Sequence, residues 1–141
     1  MDFFPTDDFR LAVRVPFYEI DAGQALYHGN YFHLYENARI EHLRAAAFTY
    51  KRLMEMERHL SLVDAHLTYR RPLFFDEEVI VTSSIIDVKT RSMTYGQKIL
   101  KEGLSKPASE ATLTFVCTSF GGRAVQIPDE LLSALAAYHK G

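Results

Sequence analysis

The sequence has no tryptophan and a single cysteine, Cys117. One thiol excludes an intramolecular disulfide framework and any cysteine-rich metal site. Basic residues do not cluster. Sixteen Lys and Arg face eighteen Asp and Glu, for a net charge of −2, so the electrostatic footprint of a nucleic-acid binder is missing. A few local cations are still enough for a small anion. No apolar run approaches the ~18 residues a membrane helix needs. The start, MDFFPTDDFR, is acidic and lacks a basic segment followed by an apolar one, so it does not read as a secretory signal. The cytoplasm is then the default location. There is no Gly-x-Ser-x-Gly elbow, which argues against a serine hydrolase. His33, His42, His59, His66 and His139 show no metal-ligand spacing, so no metal is expected. Internal repeats, low-complexity tracts and linkers are absent.

What is present is ordinary for a folded domain. The chain has 141 residues, 48% apolar and 24% charged, with ten Phe and eight Tyr. That suits one core and one domain over residues 1–141. In DFRLAVRVPFY, Leu11, Val13, Val15 and Phe17 alternate with more polar neighbours, predicting a half-buried strand with Pro16 at an end or edge. A loop over residues 19–29 follows. Asn30 is the candidate N-cap of a long helix whose buried face carries Tyr31, Leu34, Tyr35, Ala38 and His42. Thr49 is placed to cap a second, shorter helix ending near Glu57.

From Leu60 the period switches to two. Val63, Ala65, Leu67 and Tyr69 fall on one face, with Asp64, His66, Thr68 and Arg70 on the other. EEVIVTSSIIDVKT, RSMTYGQKIL and SEATLTFVCTSF continue as strands, with Cys117 packed inside the last. IPDELLSALAAY closes the chain as a helix, with Pro128 in the first turn and Asp129 and Glu130 suited to the dipole. Strand, long helix, four strands and a short helix make an α+β fold on a five-stranded antiparallel sheet. One long helix covers one face and leaves edges open, so a homo-oligomer is expected.

The run YEIDAGQALYHGNYFHLYENAR then carries a resemblance. Glu19, Asp21, Ala22, Gly23, Tyr27, His28, Tyr31, Glu36 and Arg39 match the signature of the hotdog-fold acyl-CoA thioesterases of the 4-hydroxybenzoyl-CoA thioesterase type. The match is closest to the Tol-Pal cluster-associated branch. YRRPLFFDEEVIV, RSMTYGQKI and VCTSFGGRAVQIP resemble the family's later segments in order. The resemblance implies the hotdog fold, a long helix wrapped by the sheet. It also implies protomers paired as a homodimer or homotetramer with active sites at their interface. The implied substrate is a thioester of coenzyme A, or of acyl carrier protein, with no separate cofactor. Two departures stand near the site: Glu19-Ile20-Asp21 in place of Asp-Thr-Asp, and Gly23-Gln24-Ala25-Leu26 in place of Gly-Gly-Val-Val.

Thioester hydrolysis needs an activated nucleophile and an oxyanion donor. A carboxylate supplies the first by activating water or by attacking directly. A helix start supplies the second through its unpaired N–H groups. By resemblance, Asp21 is the base or nucleophile, and the backbone N–H of His28, with Gly29, polarises the carbonyl. The His28 imidazole bonds the thioester or orients water. Tyr27, Gly29 and Tyr31 are the expected substrate contacts, and Lys89, Arg91 and Ser92 the expected contacts to coenzyme A phosphates. Phe17, Tyr27, Tyr31, Phe32, Leu34 and Tyr35 are candidates for an acyl pocket, aliphatic or aromatic.

The plainer readings are that Asp21 is a turn residue and that Glu36 and Arg39 form an ordinary i,i+3 helix pair. A solvated turn at Lys89–Ser92 is another. Rival functions are a non-catalytic acyl-CoA or acyl-carrier-protein binder and a hotdog hydratase. The seven-residue Asp21–His28 spacing ahead of the helix disfavours the hydratase.

Overall fold

Phe9–Arg14 (β1), which alternates in burial, pairs antiparallel with the mostly buried, β-branched run Glu78–Val88 (β3), Phe9 opposite Ser83 and Arg14 opposite Glu78. The computed structural model describes residues 8–136. β3 continues to Ser92–Lys101 (β4), Ser109–Ser119 (β5) and Arg58–Tyr69 (β2), giving one sheet in the order β1-β3-β4-β5-β2. Tyr31–Ala45 (α1) lies on one face and buries Tyr31, Leu34, Tyr35, Ala38, His42 and Leu43. Tyr50–Glu55 (α2) follows it, and Asp129–Leu135 (α3) closes the described chain. This is the hotdog arrangement. The core between α1 and the sheet includes Val81, Ile85, Met93, Tyr95, Ile99, Leu113 and Phe115. It is pinned by a polar network. The Tyr35 hydroxyl donates to Ser109 Oγ at 2.6 Å, and Gln97 Nε2 donates to the Tyr35 carbonyl at 3.0 Å and to Ser83 Oγ at 2.8 Å.

The local expectations fare unevenly. Thr49 caps α2, its side chain accepting the Arg52 N–H at 3.1 Å. The helix ends at Glu55 rather than Glu57, because Glu57 turns left-handed at φ 58° to start β2. Asn30 does not cap α1. A 3-10 turn, His28–Asn30, runs straight into the helix, so Asn30 is itself near-helical, and its Nδ2 donates to the Glu19 carbonyl at 3.1 Å instead. β1 stops at Arg14. Phe17 enters a short 3-10 turn with Tyr18 and Glu19 and is 72% exposed.

In β2 a bulge between Leu62 and Asp64 makes Val63 the extra residue. The helix-side face is therefore Tyr69, Leu67, Ala65 and Leu62, opposite Ser109, Ala111, Leu113 and Phe115. The predicted extension of α3 to Tyr138, and His139, lie outside the described residues. Among the described residues no helix is long and apolar enough to cross a membrane.

Candidate active site

The loop ahead of α1 folds on itself. Ile20 bridges Leu26, the Asp21 N–H bonds the Ala25 carbonyl at 3.0 Å, and the Gln24 N–H returns to the Asp21 carbonyl at 3.0 Å. Gln24 takes φ 66° to close this turn. The exposed Asp21 carboxylate is aimed by the chain itself, Oδ1 accepting the Gly23 N–H at 2.8 Å. Its Oδ2 meets no donor among the described residues. Asp21 is thus a turn residue by geometry and still presents one unshared carboxylate oxygen to solvent.

Glu19 anchors the loop to the helix. Its carbonyl accepts from the Tyr27 N–H at 3.1 Å and from Asn30, and its carboxylate, 13% exposed, meets His33 Nδ1 at 2.9 Å. This Glu19–His33 pair is a feature that sequence reading missed. The signal available was an acid before the loop and a histidine in the first helical turn, fourteen residues apart, a spacing no local pattern flags.

The oxyanion side is also built. His28 and Gly29 open the 3-10 turn, and their N–H groups meet no acceptor among the described residues, as expected for a helix start. The turn is clamped from two sides. The Tyr69 hydroxyl donates to the His28 carbonyl at 2.9 Å, and the Tyr27 ring lies 4.2 Å from the His28 ring. Burial raises the Tyr69 phenol pKa, so it stays a protonated donor. Gly29 has a steric reason: a β-carbon there would sit 2.8 Å from the Tyr27 ring. Tyr27, 44% exposed, is open to a ligand.

Tyr31 is not. It is 3% exposed, its ring edge-on to Tyr69 at 4.8 Å and its hydroxyl bonded at the Leu73 backbone. It supports the clamp from the core, and its side chain is not exposed to solvent. Leu34 and Tyr35 are likewise buried, which leaves Phe17, Tyr27 and half-buried Phe32 of the expected pocket residues accessible.

Lys89, Arg91 and Ser92 are not brought to this loop within one chain. They form the β3–β4 turn, closed by the Lys89 N–H to Ser92 carbonyl bond at 2.8 Å. That turn is beside Met93 and Val116, near the start of β2, whereas Tyr69 and His28 are at its end. β4 alone spans ten residues, roughly 30 Å of strand. Glu36 and Arg39 do not pair as expected either. Arg39 turns inward, Nη1 donating to Gln97 Oε1 at 3.1 Å with its guanidinium 4.8 Å over the Phe115 ring. Cys117 is buried, and burial pushes its thiol pKa up, away from a nucleophile's thiolate.

Comparison with known proteins adds four findings. The model of the thioesterase-like superfamily matches residues 15–135. The sequence is 32% identical over 129 residues to acyl-CoA thioesterase YbgC of Haemophilus influenzae, covering 89% of this chain and 93% of that protein. It is 29% identical over 109 residues to acyl-CoA thioester hydrolase YbgC of Escherichia coli O6:H1, covering 77% and 81%. The fold superposes on the crystal structure of a hypothetical protein from Aquifex aeolicus with a TM-score of 0.84 at 31% identity, covering 90% of this chain and 98% of that one.

Proposed function

The chain belongs to the thioesterase-like superfamily and is a thioester hydrolase, and from that premise we propose that it cleaves short- to medium-chain or aromatic acyl-coenzyme A at the Asp21–His28 loop. The observation that carries this reading is the pairing on one short loop of a carboxylate with an unshared oxygen and two unpaired helix-start N–H groups. The thioester oxygen sits at the His28 and Gly29 N–H groups, which hold the negative charge that develops on it. Asp21 removes a proton from water as the water oxygen attacks the carbonyl carbon. The carbon–sulfur bond then breaks, and the departing thiolate takes up that proton. In the nucleophilic route Asp21 attacks the carbon itself, the thiolate leaves and a mixed anhydride forms. Water then hydrolyses the anhydride to free Asp21 and the acid, its proton going to the thiolate. Glu19, His33 and Tyr69 are positioning residues that fix the loop against α1 and β2.

The working unit in this reading is a dimer. β2 is a twelve-residue edge strand with Leu62 46% and Tyr69 45% exposed on its helix side. An open edge of this length invites pairing. Antiparallel pairing of two β2 edges about their midpoint sets the β3–β4 end of one copy beside the Asp21 loop of the other. That places Lys89, Arg91 and Ser92 to meet phosphates of a coenzyme A thioester held at the second copy. An acyl-carrier-protein thioester presents the same carbonyl and is the alternative substrate.

The test is thiol release from acetyl-, butyryl-, hexanoyl-, palmitoyl-, benzoyl- and 4-hydroxybenzoyl-coenzyme A by wild type and Asp21→Ala. Turnover of at least one substrate is expected, with a loss on the order of a hundredfold or more in the variant. Full activity in Asp21→Ala would sink the mechanism, and no turnover by wild type would favour a binding role.

A further inference from the structure

A cavity of about 360 Å³ opens where Glu36, Arg39, Ile40 and Leu43 of α1 face Tyr95 and Phe115 of the sheet. Its chemistry is unbalanced. Arg39 is held over Phe115 and bonded to Gln97, a neutral partner, and no carboxylate among the described residues forms an ion pair with it. Burial opposes its charge, lowering the pKa from the usual guanidinium value. Tyr95 lines the same cavity at 1% exposure, and its hydroxyl reaches no hydrogen-bond partner.

A buried hydroxyl without a partner is costly and rare in folded proteins. Here it stands close enough to Arg39 for the two to interact electrostatically. A cation without an ion pair and an unpartnered hydroxyl therefore border one space, whose other polar lining is the Glu36 carboxylate and the Tyr50 hydroxyl. The remaining walls, Ile40, Leu43, Leu60 and Phe115, are apolar, and the Tyr50 hydroxyl already accepts the Leu60 N–H at 2.9 Å. Glu36 stands exposed at the rim, where its charge disfavours a second negative charge on whatever enters.

We propose that this cavity binds an organic monocarboxylate with a compact apolar tail, its carboxylate on Arg39 and Tyr95. The planar guanidinium fork matches a carboxylate and supplies the counter-charge. The Tyr95 hydroxyl gains its missing acceptor, and the tail lies against the apolar walls. The volume is at the small end of ligand pockets, which fits an acid of hexanoate or benzoate size. Acids of this class are what thioester hydrolysis releases, so the cavity gives the protein a place to hold its own product. Binding itself does not depend on the reading of the Asp21 loop.

Calorimetric titration of the full chain with butanoate, hexanoate and benzoate, against hexanol and benzyl alcohol, tests this. Wild type is expected to bind at least one acid, with the matching alcohol at least tenfold weaker. Arg39→Met is expected to lose tenfold or more. Tyr95→Phe is expected to lose severalfold while melting, without ligand, no lower than wild type, because it removes an unmet hydroxyl. Asp21→Ala is expected to keep wild-type affinity. The proposal is overturned if wild type binds none of the acids, if Arg39→Met binds like wild type, or if Tyr95→Phe melts lower with unchanged affinity. It is also overturned if Asp21→Ala abolishes binding, which would place the acid at the catalytic loop.

Discussion

His42 makes the chain's stability acid-sensitive in a way that can be isolated. Its ring is fully buried on α1, stacked 5.1 Å from Phe9 and edge-on to Tyr95 at 5.9 Å. Burial penalises the imidazolium and pulls the pKa from 6.5 down to about 4. Above pH 6.5 the ring is neutral in both folded and unfolded chains and contributes nothing to the pH dependence. Below it the unfolded chain takes up the proton first, so stability falls until the folded state also protonates near pH 4. The full shift is worth about 3 kcal/mol, and by pH 5 about 2 kcal/mol is already lost. The perturbation is His42→Leu, which cannot titrate. Urea unfolding by circular dichroism is measured at pH 7.5 and 5.0 for both proteins, at one fixed protein concentration so that association cannot differ between the arms. The packing change and the other titrating groups cancel in the double difference. Wild type is expected to lose about 2 kcal/mol more than the variant between the two pH values. Equal losses, within roughly 0.5 kcal/mol, would refute the claim that His42 is held neutral by burial.

Tyr69→Phe deletes the 2.9 Å bond to the His28 carbonyl. At this half-open site it should cost at most about 1 kcal/mol of stability, yet lower kcat/KM severalfold; unchanged kinetics would mean the clamp does not position the oxyanion donors. Gly29→Ala pushes a methyl into the Tyr27 ring and is expected to cut kcat/KM more than tenfold with a smaller effect on the melting temperature. Near-normal activity would show that the ring yields. Lys89→Ala combined with Arg91→Ala should raise KM for an acyl-coenzyme A about tenfold, equivalent to about 1.4 kcal/mol, and leave kcat alone. The same acyl thioester of N-acetylcysteamine, which has no phosphate, should show no change, and a KM shift on both substrates would rule out phosphate contact.

Much of this architecture is legible from residue patterns because it rests on period and capping. Strand β5 and helix α1 announce themselves by alternation and by the Tyr31, Leu34, Tyr35, Ala38, His42 face, and Thr49 announces α2 through its side chain. What escaped depends on contacts distant in sequence. The bulge at Val63 obeys β5, not the local pattern, so a two-residue period carried through it assigns Val63 to the face that Leu62 occupies. Asn30 has the chemistry of a cap, but its amide finds a better partner in the Glu19 carbonyl eleven residues back.

The site divides along the same line. Asp21, Gly23, His28 and Gly29 lie within nine residues, and their geometry is set by hydrogen bonds inside that stretch, so their grouping can be read from the chain. Tyr69 reaches His28 across forty-one residues, and Arg39 reaches Gln97 across fifty-eight. Neither spacing leaves a trace in any local motif. Arg39 shows the consequence most clearly. At i,i+3 from Glu36 it reads as a helix ion pair. That reading assumes both side chains stay at the surface, where such a pair is worth only a few tenths of a kcal/mol. Contacts with Phe115 and Gln97 outweigh so small a gain, the arginine turns into the core, and a surface pair becomes the cationic wall of a cavity.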